Sequence, residues 1–359
     1  MREYSIALIP GDGIGVDVTR EGKKVLDTVC QLDGGLSLQY ESFEWSCEYY
    51  ARHGKMMPDN GLELLKPFDS IYLGAVGYPG VPDHVSLWGL LLPIRRGFQQ
   101  YINIRPVKLL RGIQSPLAGR GREDLDFIVI RENNEGEYSS IGGRMYEGTS
   151  QDMAIQSSVF TRQGVERVLR YAFKLAQEKG RRKRLTAATK SNGINHTMPF
   201  WDEYVHKINQ EFPDVQTNIV HIDALAAFFV SRPDVYDVVV ASNLFGDILT
   251  DLGAAIVGGL GIAPSANINP EKNFPSMFEP VHGSAPDIAG KGIANPVAAI
   301  WCTSMMLEHL GEEQLADAVM QAVEDVLEEG VAVTPDLGGK ATTVEVGDAV
   351  CRKLRERLG

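Results

Sequence analysis

The stretch Val238-Val239-Val240-Ala241-Ser242-Asn243-Leu244-Phe245-Gly246-Asp247-Ile248-Leu249-Thr250-Asp251 joins two kinds of pattern, and its reading sets the fold class. Its first four residues are apolar and mostly β-branched, the signature of a strand buried on both faces. Gly246 then permits a sharp turn, and Asp247 stands at or near the start of a helical pattern. A buried strand feeding a helix is the repeating unit of a layered α/β protein. Asp247 and Asp251 are four residues apart, so on a helix their carboxylates share one face. Two such charges repel unless a cation lies between them, and a divalent ion with oxygen ligands fits that need. The competing reading makes Asp247 a helix cap and Asp251 a solvated neighbour.

Outward from this stretch the same alternation continues. Tyr4–Ile9, the turn Gly11-Asp12-Gly13-Ile14-Gly15 and a helix to about Leu32 form a strand–turn–helix unit, ended by Gly34-Gly35. Val16 stands where a dinucleotide fingerprint requires its third glycine, so the turn is read as a tight βα connection beside a ligand cleft and not as a Rossmann motif. Strands are predicted at Leu36–Phe43, Ser70–Ala75, Ile102–Val107, Asp126–Arg131, Leu185–Thr189, Thr217–Ile222 and Tyr236–Ala241. Helices are predicted at Gly61–Lys66, Ser86–Gln100, Arg162–Gln177, Gly193–Gln210 and Asp223–Val230. Three more close the chain at Val297–Leu310, Glu312–Glu329 and Glu345–Leu358, after loops at Asn267–Asn273 and His282–Asn295. The polar segment Ser139–Phe160 reads as an extended hairpin arm, a device that serves association because it cannot bury itself.

At 359 residues two domains are expected. The first takes residues 1–101 plus 258–359, and the second takes 102–257, with the arm near 139–160. A net charge of −12, from 47 acidic and 35 basic residues, argues against a general nucleic-acid binder. The basic run Lys179-Gly180-Arg181-Arg182-Lys183-Arg184 is read as a solvated connection. Nothing approaches a membrane span or a secretory signal, and four scattered cysteines form no C-x-x-C pair, so the cytoplasm is the expected address.

Several polar residues stand where chemistry is done in α/β proteins, at the carboxyl ends of strands. Asp223 follows one apolar strand as Asp247 follows another, so a third carboxylate is expected to converge on the same sheet edge. Arg95, Arg105 and Arg131 together suit a dicarboxylate, since each guanidinium grips a carboxylate bidentately. Lys190 and Tyr138 at strand ends are proton-transfer candidates. The stretch from His282 to Pro296 is rich in small residues and proline, so its backbone can approach a flat ligand, and Asp287 can accept hydrogen bonds from a ribose diol.

These motifs, in this order, resemble the metal-dependent β-decarboxylating dehydrogenases, which include the isocitrate and isopropylmalate dehydrogenases. The resemblance runs from Ile9-Pro10-Gly11-Asp12-Gly13-Ile14-Gly15 to Thr334-Pro335-Asp336-Leu337-Gly338-Gly339. It implies that family's two-domain α/β fold, not a Rossmann fold, with the arm making a homodimer. It implies that Asp223, Asp247 and Asp251 bind Mn²⁺ or Mg²⁺, that Arg95, Arg105 and Arg131 hold the substrate's carboxylates, that Lys190 takes the hydroxyl proton, and that Tyr138 protonates the enol left after carbon dioxide departs. Lys190 and Asp223 are contributed across the dimer interface in such enzymes. The cofactor is implied to lie on Asn192, His282, Gly283, Ser284, Ala285, Pro286, Asp287 and Asn295. A carboxylate at Asp287 favours NAD over its 2′-phosphorylated form.

Substrate choice rests on Asp83-His84-Val85-Ser86-Leu87-Trp88-Gly89-Leu90-Leu91. Trp88 stands where the isopropylmalate enzymes carry Glu, and Ser86 alone does not reproduce the Ser–Asn pair of the isocitrate enzymes. With Pro93-Ile94-Arg95-Arg96, the string resembles the branch acting on tartrate and D-malate, for which K⁺ is also implied. The bulk of Trp88 suits a four-carbon 2-hydroxy diacid. Isopropylmalate oxidation and a non-catalytic regulatory subunit are the alternatives.

Overall fold

The computed structural model describes residues 1–178 and 180–359. The first part of the chain forms β1 (Arg2–Gly11), α1 (Ile14–Asp33), β2 (Leu36–Ser42), α2 (Cys47–His53), α3 (Gly61–Leu65), β3 (Ser70–Ala75), α4 (Asp83–Ser86) and α5 (Leu92–Gly97). Then come β4 (Ile102–Lys108), β5 (Asp126–Glu132), the pair β6 (Gly142–Met145) and β7 (Met153–Gln156), α6 (Arg162–Gln177), β8 (Arg184–Thr189) and α7 (Thr197–Asn209). The remainder is β9 (Gln216–His221), α8 (Ile222–Ser231), β10 (Val238–Ala241), α9 (Asn243–Ile256), β11 (Pro264–Ile268), β12 (Ser276–Pro280), α10 (Val297–Leu310), α11 (Glu313–Glu329) and α12 (Thr343–Leu358).

Ten strands make one sheet in the order β2-β1-β3-β12-β11-β4-β5-β10-β8-β9, and β6 and β7 pair antiparallel by themselves. Strands β2, β1, β3 and β12 are mutually parallel, as are β5, β10, β8 and β9. Between the two sets lie three antiparallel pairings, β12 with β11, β11 with β4, and β4 with β5. An odd number of reversals leaves the two parallel sets running in opposite senses. Their carboxyl ends therefore lie at opposite edges, and no single edge collects every strand-end residue.

Side-chain alternation gives the left half of the sheet two covered faces. Ile6, Leu8, Tyr72 and Phe278 belong to the main core, while Ala7, Ile9, Ile71, Leu73 and Met277 face a second cluster with Trp45, Met56, Leu90 and Phe98. All four residues of β10 are inaccessible to solvent. Burying a valine side chain is worth about 1.5–3 kcal/mol, so this strand anchors the start of α9 more firmly than any cap, worth about 1 kcal/mol, could.

Most predicted elements are present, and the departures have identifiable causes. The helix expected from Gly193 begins at Thr197, because residues 191–196 form a turn in which the N–H groups of Gly193 and Ile194 both donate to the Lys190 carbonyl. Strands β11 and β12 were missed altogether. They carry Pro264, Ser265, Asn267, Ser276 and Glu279, which give no apolar alternation, yet every residue in both is buried. In the basic run, Lys179 lies outside the described residues. Arg182, Lys183 and Arg184 are exposed as expected of a solvated connection, and Arg182 also donates to the carbonyls of Asp126, Asp234 and Tyr236. The four cysteines are free thiols.

Candidate active site

Helix α9 begins at Asn243, and its first turn is satisfied from outside. The Glu137 carboxylate accepts from Ser242 Oγ at 2.7 Å and from the Leu244 N–H at 3.0 Å. Asp247 is therefore no cap; it sits one full turn into the helix. Gly246 makes no sharp turn either. A Cβ there would lie 2.6 Å from Arg131 Cγ, so the missing side chain admits Arg131 against the helix.

That close approach organises the centre. Arg131 Nη1 lies 2.5 Å from Asp247, and its Nε and Nη2 donate to Asn243 Oδ1 at 3.2 and 2.7 Å. Tyr138 donates its hydroxyl to Asp247 at 2.7 Å. Arg105 donates to Thr250 Oγ1 at 2.6 Å and lies 3.5 Å from Asp247 and 3.8 Å from Asp251. Arg95 pairs with Glu279 at 2.6 Å. All three arginines are buried, with side chains 2–8% exposed.

Electrostatics follow from this enclosure. Burial pulls the Arg131 guanidinium down to about 10, with Arg105 beside it adding and Asp247 opposing. Burial would raise the Asp247 carboxyl, but Arg131 and Arg105 outweigh it and hold the group below the usual range. Tyr138 is pushed up to about 12 by burial and by its bond to Asp247, so it keeps its proton at neutral pH. Asp251 is 61% exposed in its side chain, yet the cleft desolvates it enough to raise its carboxyl, with Arg105 opposing.

A cavity of about 140 Å³ connects this clamp to the His282 stretch. Arg95, Arg105 and Glu279 line it together with Leu91, His282 and Gly283. The stretch is seated by the first glycine turn. Ile14 N–H donates to the Ser284 carbonyl at 2.9 Å, and a Cβ on Gly13 would lie 2.1 Å from that oxygen. The turn at the start of α1 thus holds protein backbone where a Rossmann motif holds a pyrophosphate. Ala285 takes a left-handed backbone at φ 40°, Pro286 and Asp287 are exposed, and Asn295 donates to Asp336 at 3.0 Å. His282 Nε2 is buried without a hydrogen-bond partner.

A second group stands apart. Lys190, at the end of β8, pairs with Asp223 in the first turn of α8 at 2.8 Å, and Asn192 is exposed in the turn that follows Lys190. The bond to Lys190 lowers the Asp223 carboxyl. The expected convergence of three aspartates does not occur within one chain; among the described residues no three potential metal ligands come together. The cause is geometric. Asp223 and Lys190 stay at the carboxyl edge of their strands, while α9 carries Asp247 and Asp251 one and two turns back across β4 and β5.

The sequence reading passed over Asn243, Thr250, Glu279, Glu137 and Arg96. Asn243 was recoverable, being four residues before Asp247 and so on the same helix face. Glu279 had no local signal, because its strand was not recognised.

The isocitrate/isopropylmalate dehydrogenase family model matches residues 5–350. A Bacillus subtilis (strain 168) protein named probable tartrate dehydrogenase/decarboxylase is 55% identical over 357 residues, covering 99% of each chain. An Escherichia coli (strain K12) protein named D-malate dehydrogenase [decarboxylating] is 56% identical over 359 residues, covering 98% of this chain and 99% of its own. The crystal structure of isocitrate dehydrogenase from Methylococcus capsulatus superposes with a TM-score of 0.89 at 34% identity, covering 98% of this chain and 99% of that one.

Proposed function

The chain belongs to the isocitrate/isopropylmalate dehydrogenase family and is an enzyme of its decarboxylating dehydrogenase type; from that premise we propose that it uses NAD and Mn²⁺ or Mg²⁺ to oxidise small 2-hydroxy diacids. D-malate is oxidised and decarboxylated to pyruvate, and tartrate is oxidised or decarboxylated. The observation that carries this reading is the shared cavity. It places two buried arginines, suited to a dicarboxylate, against His282 and Gly283 of the proposed dinucleotide stretch.

The residues suit the groups they are proposed to hold. Asp247 and Asp251 offer hard oxygen donors on one helix face, and a cation would offset the desolvation that raises the Asp251 carboxyl. Asp223 completes the set from a second chain, paired with the partner half of the proton-transfer machinery. A bound metal would lower the pKa of the substrate hydroxyl and polarise the carbonyl made from it, a sink for the electrons of the C–C bond that breaks. Arg95, Arg105 and Arg131 grip the substrate's carboxylates and fix which bond breaks. Lys190 accepts the hydroxyl proton through water, and Tyr138, protonated at neutral pH, delivers a proton to the enol. The unpartnered His282 nitrogen and the exposed Asp287 carboxylate suit the nucleotide's polar atoms, with Gly283, Ser284, Ala285, Pro286, Asn295 and Asn192 around it. Asp287 repels a 2′-phosphate, which supports NAD. K⁺ rests on the resemblance alone.

The proposed assembly is a homodimer joined by β6 and β7, where Ile141, Met145, Tyr146, Met153 and Ile155 are exposed. Division into units 1–101 plus 258–359 and 102–257 is supported by β4 and β11, through which the chain leaves and re-enters side by side. No described helix is long and apolar enough to cross a membrane, and with four free thiols the cytoplasm is the proposed location.

The test uses metal-stripped protein with NAD, Mn²⁺ and a panel of D-malate, both tartrates, isopropylmalate and isocitrate. Metal-dependent turnover is expected, with kcat/KM higher on D-malate than on isopropylmalate. The reverse order would overturn the substrate assignment, and turnover without metal would overturn the mechanism.

A further inference from the structure

The adjacent arginines Arg95 and Arg96 part company on α5. Neighbouring helix positions lie about 100° apart. Arg95 enters the cavity, while Arg96 passes outside it and reaches the segment between β5 and the arm. There Arg96 Nε donates to the Asn134 carbonyl at 3.3 Å and Nη2 to the Tyr138 carbonyl. Its guanidinium also lies over the Trp88 ring, 5.0 Å from the centroid.

The stack depends on a local irregularity. The segment Leu87–Leu91 is a π-helical turn, with the Leu92 N–H donating to the Leu87 carbonyl five residues back. In an unbroken helix, residues eight apart lie about 80° from each other around the axis, and residues seven apart lie within about 20°. A π turn absorbs one extra residue, so Trp88 and Arg96 come to nearly the same face. The helix is thus wound to bring the indole over the guanidinium. A planar cation stacked on one face and forked to two carbonyls has little freedom left.

We infer that Arg96 is a positioning residue for Tyr138, clamped by Trp88, and that it fixes the phenol for proton delivery after carbon dioxide leaves. The inference rests on the proposed role of Tyr138 in that step. The Tyr138 segment leaves β5 and is held on either side of Tyr138 by the Gly136–Val159 bridge, by the Glu137 carboxylate at the start of α9, and by Gln156, which donates to the Glu137 and Ser139 carbonyls. Arg96 ties down the carbonyl of Tyr138 itself, while Asp247 holds its hydroxyl. Proton balance is simple. The enol carbon gains the phenol's proton, giving pyruvate, and the phenolate is reprotonated from solvent. Hydride has already passed to NAD, so a misplaced Tyr138 slows only the later proton transfer and leaves the first reduction intact.

Arg96→Met, assayed by stopped-flow absorbance of nicotinamide reduction with D-malate and Mn²⁺, separates these steps. Displacement of a proton donor by about 1 Å costs up to about 100-fold, so steady-state kcat is expected to fall roughly 10- to 100-fold. The first turnover should stay within about threefold of wild type, leaving a burst. A first turnover slowed as much as the steady state, a kcat within about twofold of wild type, or a loss confined to KM would each overturn the inference. If Arg96→Met does not fold, Arg96→Lys, which keeps the charge but loses the fork, goes through the same measurement with the same criteria. A crystal structure of the variant gives a readout that needs no substrate. Tyr138 still bonded to Asp247 as before would overturn the inference, whereas wild-type protein inert toward every diacid would overturn the proposed function alone.

Discussion

The Asp247 region and the Lys190 region hold comparable ion pairs and embed them in opposite ways. Asp247 is enclosed by Arg131, Arg105 and Tyr138, and the Arg131 side chain is 2% exposed. Asp223 pairs with Lys190, and its side chain is 68% exposed. The first cluster is packed inside one chain, so it bears on stability as well as on the proposed chemistry. The second is open to solvent, where an ion pair adds little to stability, about 0–1 kcal/mol. An open pair set apart from a closed one fits the proposed completion of the site by a second chain.

The largest expected effect comes from breaking each pair. Asp247→Ala should cost at least about 100-fold in kcat/KM, and also about 3 kcal/mol in urea unfolding, because Arg131 is left buried without its partner. Asp223→Ala should lose comparable activity while stability stays within about 0.5 kcal/mol. Equal destabilisation by the two would erase the distinction. Next, mixing and reassembling the two variant chains tests where the halves come from. Half of the dimers are then mixed, and each mixed dimer holds one site with neither change, so about a quarter of wild-type activity should return. No recovery would place both halves in one chain.

A third expectation concerns pH. Glu132, adjacent to Arg131, is fully enclosed; burial pushes its carboxyl up to about 7 from the ordinary 4.5, against the pull of the Asn134 and Glu135 N–H groups. The folded value is above the unfolded one, so its contribution is complete below pH 4.5 and lost as pH rises through about 7. Relative to Glu132→Gln, wild-type unfolding free energy should therefore fall across that window by on the order of 3 kcal/mol. A parallel pair of pH curves would mean the enclosure does not bear on this carboxyl. Asp223→Ala should leave the window unchanged. The smallest effect is at the exposed Asp287, where Lys should shift the NAD/NADP ratio of kcat/KM by about tenfold toward NADP. An unchanged ratio would remove Asp287 from coenzyme choice.

Legibility followed the strength of local periodicity. The apolar run of β10 and the amphipathic stripe of α6 could be read directly, α6 to its observed ends at Arg162 and Gln177. Strands β11 and β12 could not, since Asn267 and Glu279 are buried polar residues whose partners, Asn103, Asn133 and Arg95, are distant in sequence. The site showed the same divide. Arg131, Tyr138 and Asp247 were named from their positions at strand and helix ends, whereas Arg96 was assigned no role because its stacking on Trp88 depends on a π turn.

By itself the sequence determined the α/β class, the family and the residue types of the chemistry, because strand burial, helix amphipathicity and motif order are local or collinear properties. The tertiary structure decided which of those residues meet. Two parallel strand sets run in opposite senses, and α9 turns back across the sheet. Asp247 and Asp251 thereby come among the arginines, while Asp223 and Lys190 stay at an open edge. Distances across a sheet follow from strand order and direction, which no single stretch of chain encodes.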